Sequence, residues 1–125
     1  MIKKVQLPLI SSERAKEISR NLNGYPTENR VIIAVSADPE VKVGGLYIPN
    51  QNKEDIPRKG VMIQTGIITE EYRTYKSISV GDILTYGLYA GKEIEVSLPE
   101  EIDTTDLKFF VLSLSEIIYI EENKL

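Results

Sequence analysis

Neither cysteine nor histidine occurs in this 125-residue chain. Without thiols there are no disulfides and no thiolate chemistry. Without imidazole as well, the usual zinc sites and histidine-based triads are excluded. An enzyme built on this chain would have to work with carboxylates, Lys, Tyr, Ser or Thr alone. The expectation is therefore no enzyme, no catalytic residue, no metal and no cofactor of its own. Positive charge is also scarce: 15 Lys and Arg against 19 Asp and Glu leave a net charge of −4. That balance offers no general electrostatic attraction to nucleic acid or to an anionic membrane. No apolar run is long enough to span a bilayer, and Met1-Ile2-Lys3-Lys4 leads into no signal-peptide core. Internal repeats and low-complexity tracts are absent as well.

What is present describes one domain over residues 1–125. An apolar content of 42% with 27% charge is globular rather than disordered. A chain of this length buries roughly two-thirds of its unfolded surface, enough for a single core. Most of the chain reads as strands. Val31-Ile32-Ile33-Ala34-Val35 is a β-branched run with the character of a buried strand. Gly60-Val61-Met62-Ile63-Gln64-Thr65-Gly66 is another, bounded by glycines, and Val80-Gly81-Asp82 turns into Ile83-Leu84-Thr85-Tyr86. Lys92-Glu93-Ile94-Glu95-Val96 alternates as a half-exposed strand should. Phe109 to Leu114 and Ile117 to Ile120 complete the set. Short strands with glycine punctuation predict an all-β fold, a small antiparallel barrel. The one helical signal spans Ser12 to Gly24: Ser11 or Ser12 caps it, Ile18 and Leu22 share a face, and Asn23-Gly24 stops it. Its expected place is against the outside of the barrel.

The stretch that carries most functional information is Gly44-Gly45-Leu46-Tyr47-Ile48. Polar sequence lies on both sides, Ser36-Ala37-Asp38-Pro39-Glu40 before it and Pro49-Asn50-Gln51-Asn52-Lys53-Glu54-Asp55 after it. Paired glycines free the backbone, and the flanking Pro, Asn and Asp favour turns and irregular structure. The physical reading is a slack tether that presents a small hydrophobic hook to a partner. The alternative is a short strand tucked against the barrel.

These blocks resemble a known family, the GroES-type co-chaperonins, which are the lids of group I chaperonin chambers. Asn29-Arg30-Val31-Ile32-Ile33 is similar to that family's first barrel strand, and Gly44-Gly45-Leu46-Tyr47-Ile48 to its mobile-loop signature. Arg58-Lys59-Gly60-Val61-Met62 stands where the loop returns. Val80-Gly81-Asp82-Ile83 matches the family's most recognisable turn, and Leu114 to Ile120 its closing segment. The resemblance implies a GroES-like barrel with a mobile loop over 37–58, a roof hairpin over 67–77 and a helical insertion over 11–24. Residues around Ser97 to Asp103 read as a further addition. A divergent, virus-encoded member would fit these additions.

The same resemblance implies function. Gly44, Gly45, Leu46, Tyr47 and Ile48 would dock on a GroEL-type chaperonin that itself binds ATP and ADP. Glu70 and Glu71 would stand at the roof, where several copies repel one another, with Arg73 offsetting part of the repulsion. Tyr89 would face the enclosed, unfolded substrate protein. Ile2 and Val5 of one subunit would pair with Ile118 and Ile120 of the next in a homo-oligomer, a heptameric ring, although both strands can instead pair within one subunit. The expected compartment is the cytoplasm, a host's if the chain is viral. Two rivals remain. One is an OB-like barrel that binds single-stranded nucleic acid or oligosaccharide through the seven tyrosines; a salt titration with single-stranded DNA discriminates it. The other is the GroES-like domain of a medium-chain alcohol dehydrogenase, which the missing zinc ligands disfavour.

Overall fold

The computed structural model describes residues 9–37, 58–87 and 89–125. Helix α1 (Ser12–Asn21) precedes strands β1 (Arg30–Ser36), β2 (Arg58–Thr65), β3 (Ile83–Tyr86), β4 (Lys92–Ile94), β5 (Leu107–Ser113) and β6 (Ile117–Glu121). They form one antiparallel sheet in the order β4-β5-β1-β2-β3-β6. Leu112 on β5 and Ile117 on β6 are far apart in that order, yet they share one core cluster with Val31, Ile33, Met62, Leu84 and Tyr86. The sheet therefore curls around this cluster as a small barrel does. The ladder steps between Ile32 and Ile33 on β1 and between Thr85 and Tyr86 on β3. Irregularities of this kind bend a strand and increase its twist.

Alternate residues point the other way and make a second cluster. Ile32, Ala34, Val61, Ile63, Ile83 and Phe109 lie on the outer face, covered by Ala15 and Ile18 of α1. Leu98 and Ile102, from the segment after β4, complete the cover. This second layer explains why Val31 to Ala34 is a continuous apolar run rather than an alternating one: both of its faces are buried.

The start of α1 follows its sequence signals. Ser11 accepts a hydrogen bond on Oγ from the Arg14 N–H at 3.2 Å. Its end falls at Asn21, with Leu22 as the extended cap and Gly24 at φ +124°. Arg14 then forks onto Asp106, donating to its two carboxylate oxygens at 2.7 and 2.8 Å and to the Asp103 carbonyl at 3.1 Å. The Asn23 N–H donates to the Ser97 carbonyl at 3.0 Å. The two additions are thus one clasp on the outside of the barrel.

Two expectations need correction. The segment expected as a roof hairpin holds no strand pair; Glu70–Ser77 is a run of 3-10 turns, kinked at Tyr72. Tyr72 and Tyr75 are three apart, so 3-10 geometry stacks them on one side, with ring centroids 6.1 Å apart. Both pack against the inner core, and that burial favours a compact turn over a projecting ribbon. The strand expected over Lys92 to Val96 ends at Ile94, and Val96 instead packs with the outer cluster.

Candidate functional site

The 38–57 segment leaves and rejoins the sheet at neighbouring strands. β1 and β2 are paired through Ala34 and Val61, near the inner ends of this connection. On the outgoing side the Ala37 N–H donates to the Asp106 carbonyl at 2.8 Å. On the returning side Arg58 stands opposite Tyr86, and Lys59 pairs with Glu121 at 3.0 Å. Burial pushes the Tyr86 phenol above its ordinary range, and the nearby Arg58 charge opposes that shift. Adjacent antiparallel strands need a connection of only about two to five residues. The extra chain is unnecessary for the fold, which is the usual mark of a functional loop. Its expected docking residues, Gly44, Gly45, Leu46, Tyr47 and Ile48, lie outside the described residues, as do Ile2 and Val5.

The 67–77 segment is tethered by Asn29, which in the sequence stands only as the start of the first strand. Asn29 has φ +61°, a left-handed conformation that Asn tolerates better than most side chains. Its Oδ1 accepts the Thr69 N–H at 2.9 Å, and its Nδ2 donates to Thr69 Oγ1 at 3.0 Å. Its own N–H donates to the Ile67 carbonyl at 2.8 Å, while its carbonyl accepts from Leu114 N–H at 3.0 Å. Glu70 follows immediately and pairs with Arg73 at 3.1 Å and Lys76 at 3.8 Å. The ion pairs among the described residues therefore engage Glu70 and not Glu71. Arg73 and Lys76 both pair with Glu70 within the chain, and Lys76 is a second cation beside the Arg73 named from the sequence.

Tyr89 is 76% exposed, on the connection between β3 and β4. At the far end of the sheet, β6 lies on an edge of the order given above. The register passes from Thr85–Tyr119 to Tyr86–Ile117, which leaves Ile118 as the extra residue, 68% exposed. Ile120 turns inward and packs on the core. The Arg14 guanidinium holds Asp106 below the usual carboxylate value, and hydrogen bonds from Thr105 do the same for Asp103. Arg14 itself is raised by its bond to Asp106. Among the described residues no His, Cys, Asp or Glu cluster is arranged to hold a metal, and no helix is long and apolar enough to cross a membrane.

Comparison with known proteins bears on this arrangement directly. Residues 23–120 match the family described as the chaperonin 10 kDa subunit. The chain is 35% identical over 81 residues to a co-chaperonin GroES 1 of Rhodopirellula baltica, covering 62% of this chain and 79% of that one. Against co-chaperonin GroES of Bacteroides thetaiotaomicron it is 31% identical over 99 residues, covering 79% of this chain and 98% of the relative. The match begins after α1, so the helix is an addition outside the shared stretch.

Proposed function

Because the chain belongs to the chaperonin 10 kDa subunit family, we propose that it is a co-chaperonin, a ring-shaped lid on a GroEL-type chaperonin. It encloses an unfolded substrate protein there and acts without an active site. The observation that carries this reading is the family match running through both strands that root the long 37–57 connection. Leu46, Tyr47 and Ile48 supply the docking contact, with Gly44 and Gly45 as the hinge before it. Nucleotide is bound and hydrolysed by the partner. The lid works in the cytoplasm.

The energetics favour a ring. Burying Leu46 and Ile48 contributes about 1.5–3 kcal/mol each. Fixing the backbone costs about 1–2 kcal/mol per residue. Several ordered residues therefore nearly cancel the gain, and one docked loop binds weakly. Seven copies facing a seven-fold partner turn each later contact into an intramolecular one, so modest affinities compound. Weak single contacts also permit release when the partner changes nucleotide state. The subunits join through the edge at β6, where exposed Ile118 meets Ile2 and Val5 of the neighbour in a head-to-tail interface, while the Ile120 side chain stays in the subunit's own core. Glu70 and Glu71 border the opening of the dome, and Tyr89 faces the substrate within.

The test is capture of the full chain by a GroEL-type chaperonin with and without ATP. Capture only with nucleotide is expected, and Leu46→Asp or Ile48→Asp abolishes it while circular dichroism and ring size stay native. Variants that unfold or lose the ring would show that the triplet belongs to the core and that the docking assignment is wrong.

A further inference from the structure

Glu116 ends the 3-10 turn between β5 and β6, and its two carboxylate oxygens have different jobs. Oε1 accepts the Ser113 N–H at 2.8 Å, one half of a reciprocal cap that the Ser113 side chain completes. Such a cap needs one oxygen. Oε2 reaches out of the turn to the Gly91 N–H at 3.1 Å, 25 positions earlier in the chain. Gly91 stands at φ +84°, and an added Cβ would lie 2.6 Å from Leu112 Cδ2. Only glycine lets the backbone press this close to β5 and offer its N–H to Glu116. Next to it, Ala90 packs on the inner core, and its N–H donates to the Gly87 carbonyl at 3.1 Å. Tyr89 stands just before it on the outside, with its ring in solvent.

An exposed ring has no packing of its own to fix it, so its direction is set by the backbone beneath. A loose ring pays ordering entropy on each contact it makes, whereas a fixed one has little left to lose. We propose that Glu116 is the positioning residue for Tyr89, its Oε2–Gly91 bond holding the backbone that aims the ring at an enclosed, unfolded polypeptide. This rests on the reading above that Tyr89 faces the substrate. The cap on Ser113 and the tie to Gly91 are separable by chemistry. A glutamine at 116 still offers its amide oxygen to the Ser113 N–H, as capping boxes accept either residue. Its NH2 group then meets the Gly91 N–H, donor against donor, and the tie is lost.

The chain contains no tryptophan, so Tyr89→Trp installs a single indole at the position in question, excited at wavelengths the remaining tyrosines do not absorb. In that full-length background, Glu116→Gln is expected to lower the anisotropy of the introduced indole and to raise its quenching by acrylamide. The Gly91 amide should exchange about tenfold faster or more, as loss of a bond to a charged acceptor implies. Melting temperature should fall by no more than the several degrees that loss of one such bond implies, and oligomer size should match Tyr89→Trp alone. Unchanged anisotropy and unchanged Gly91 exchange would overturn the proposal. So would a lowered melting temperature with the indole as fixed below the transition as in Tyr89→Trp alone, since Glu116 would then act only on stability. If Glu116→Gln fails to fold, Glu116→Asp is read by the same signals, because its shorter arm cannot span both N–H groups. A separate arm tests the underlying reading: Tyr89→Ala should lower the yield of chaperonin-assisted refolding. An unchanged yield there removes Tyr89 as a substrate contact, while the fluorescence still decides what Glu116 does.

Discussion

Replacing Asn29 separates two effects that the structure combines at one residue. Asn29→Gly keeps the left-handed backbone and removes only the side chain. Lost with it are the bonds to Thr69 N–H at 2.9 Å and Thr69 Oγ1 at 3.0 Å, together with the 3.2 Å contact from that hydroxyl. At a net value of about 0.5–1.5 kcal/mol per hydrogen bond, the loss is about 1–3 kcal/mol. Asn29→Ala loses the same bonds and also places a Cβ at φ +61°, at a cost of about 1–2 kcal/mol. Alanine recovers about 0.4–1 kcal/mol of that through its stiffer unfolded chain. Alanine should therefore be the more damaging change, by up to about 1.6 kcal/mol. Urea unfolding at one fixed protomer concentration measures both, with the slope expected to stay constant. Hydrogen exchange at the Thr69 amide reports the Asn29–Thr69 tether directly. If Asn29→Ala proves as stable as Asn29→Gly, or if both match the wild type, the reasoning about this corner fails.

Other outcomes follow from the same packing. Ile18→Ala, at 1% exposure beneath the outer face of the sheet, should cost about 2–5 kcal/mol in urea unfolding; a loss below about 1 kcal/mol would mean that α1 lies loosely on the barrel. Gly66→Ala would bring a Cβ to 2.1 Å from the Thr27 carbonyl oxygen, a backbone atom with little room to give, so a loss of about 3 kcal/mol or more is expected, and a thermal melt close to wild type would refute the close approach. Asp106 is held below its ordinary value of 3.8 by Arg14. Its unfolded form therefore takes up a proton first as pH falls, and the stability it contributes is present above that value and lost on acidification through the lowered native one. The difference between wild type and Asp106→Asn should be constant above about pH 5, stay under about 1 kcal/mol for so exposed a pair, and vanish in acid; a difference that grows on acidification would contradict it.

The strands were legible because their chemistry is local. β-branched runs closed by Gly60, Gly66 and the Val80-Gly81-Asp82 turn announce themselves without knowledge of their partners. The capped start of α1 was equally local. The 67–77 segment departs from the expected hairpin for a physical reason: Thr69 to Ser77 has no alternation, and the signal it does carry, Tyr72 and Tyr75 three apart, belongs to a 3-10 turn. In the sequence Glu116 is one residue of the Leu114 to Ile120 segment, with nothing to single it out. Its distant partner is a backbone N–H, and every residue but proline has one, so no side chain in the sequence marks the tie. Arg14 and Asp106 were unreadable for a related reason. Many Arg and Asp pairs exist in any charged chain, and only the fold chooses among them.

The outer layer makes physical sense in light of where the long connection is rooted. β1 and β2 are the strands that bound it, and both are buried on both faces. In a one-layer barrel Ile32, Ala34, Val61 and Ile63 would meet water or a neighbour. Here α1, which lies before the family match, covers them together with Leu98 and Ile102. Arg14 locks the two covering segments to each other through Asp106, and the Asp106 carbonyl in turn receives the Ala37 N–H where the chain leaves β1. The clasp therefore ends where the chain leaves β1 for the 38–57 segment. Unfolding this strand pair would expose apolar side chains on both of its faces, so the clasp reinforces the sheet where the 38–57 connection is rooted.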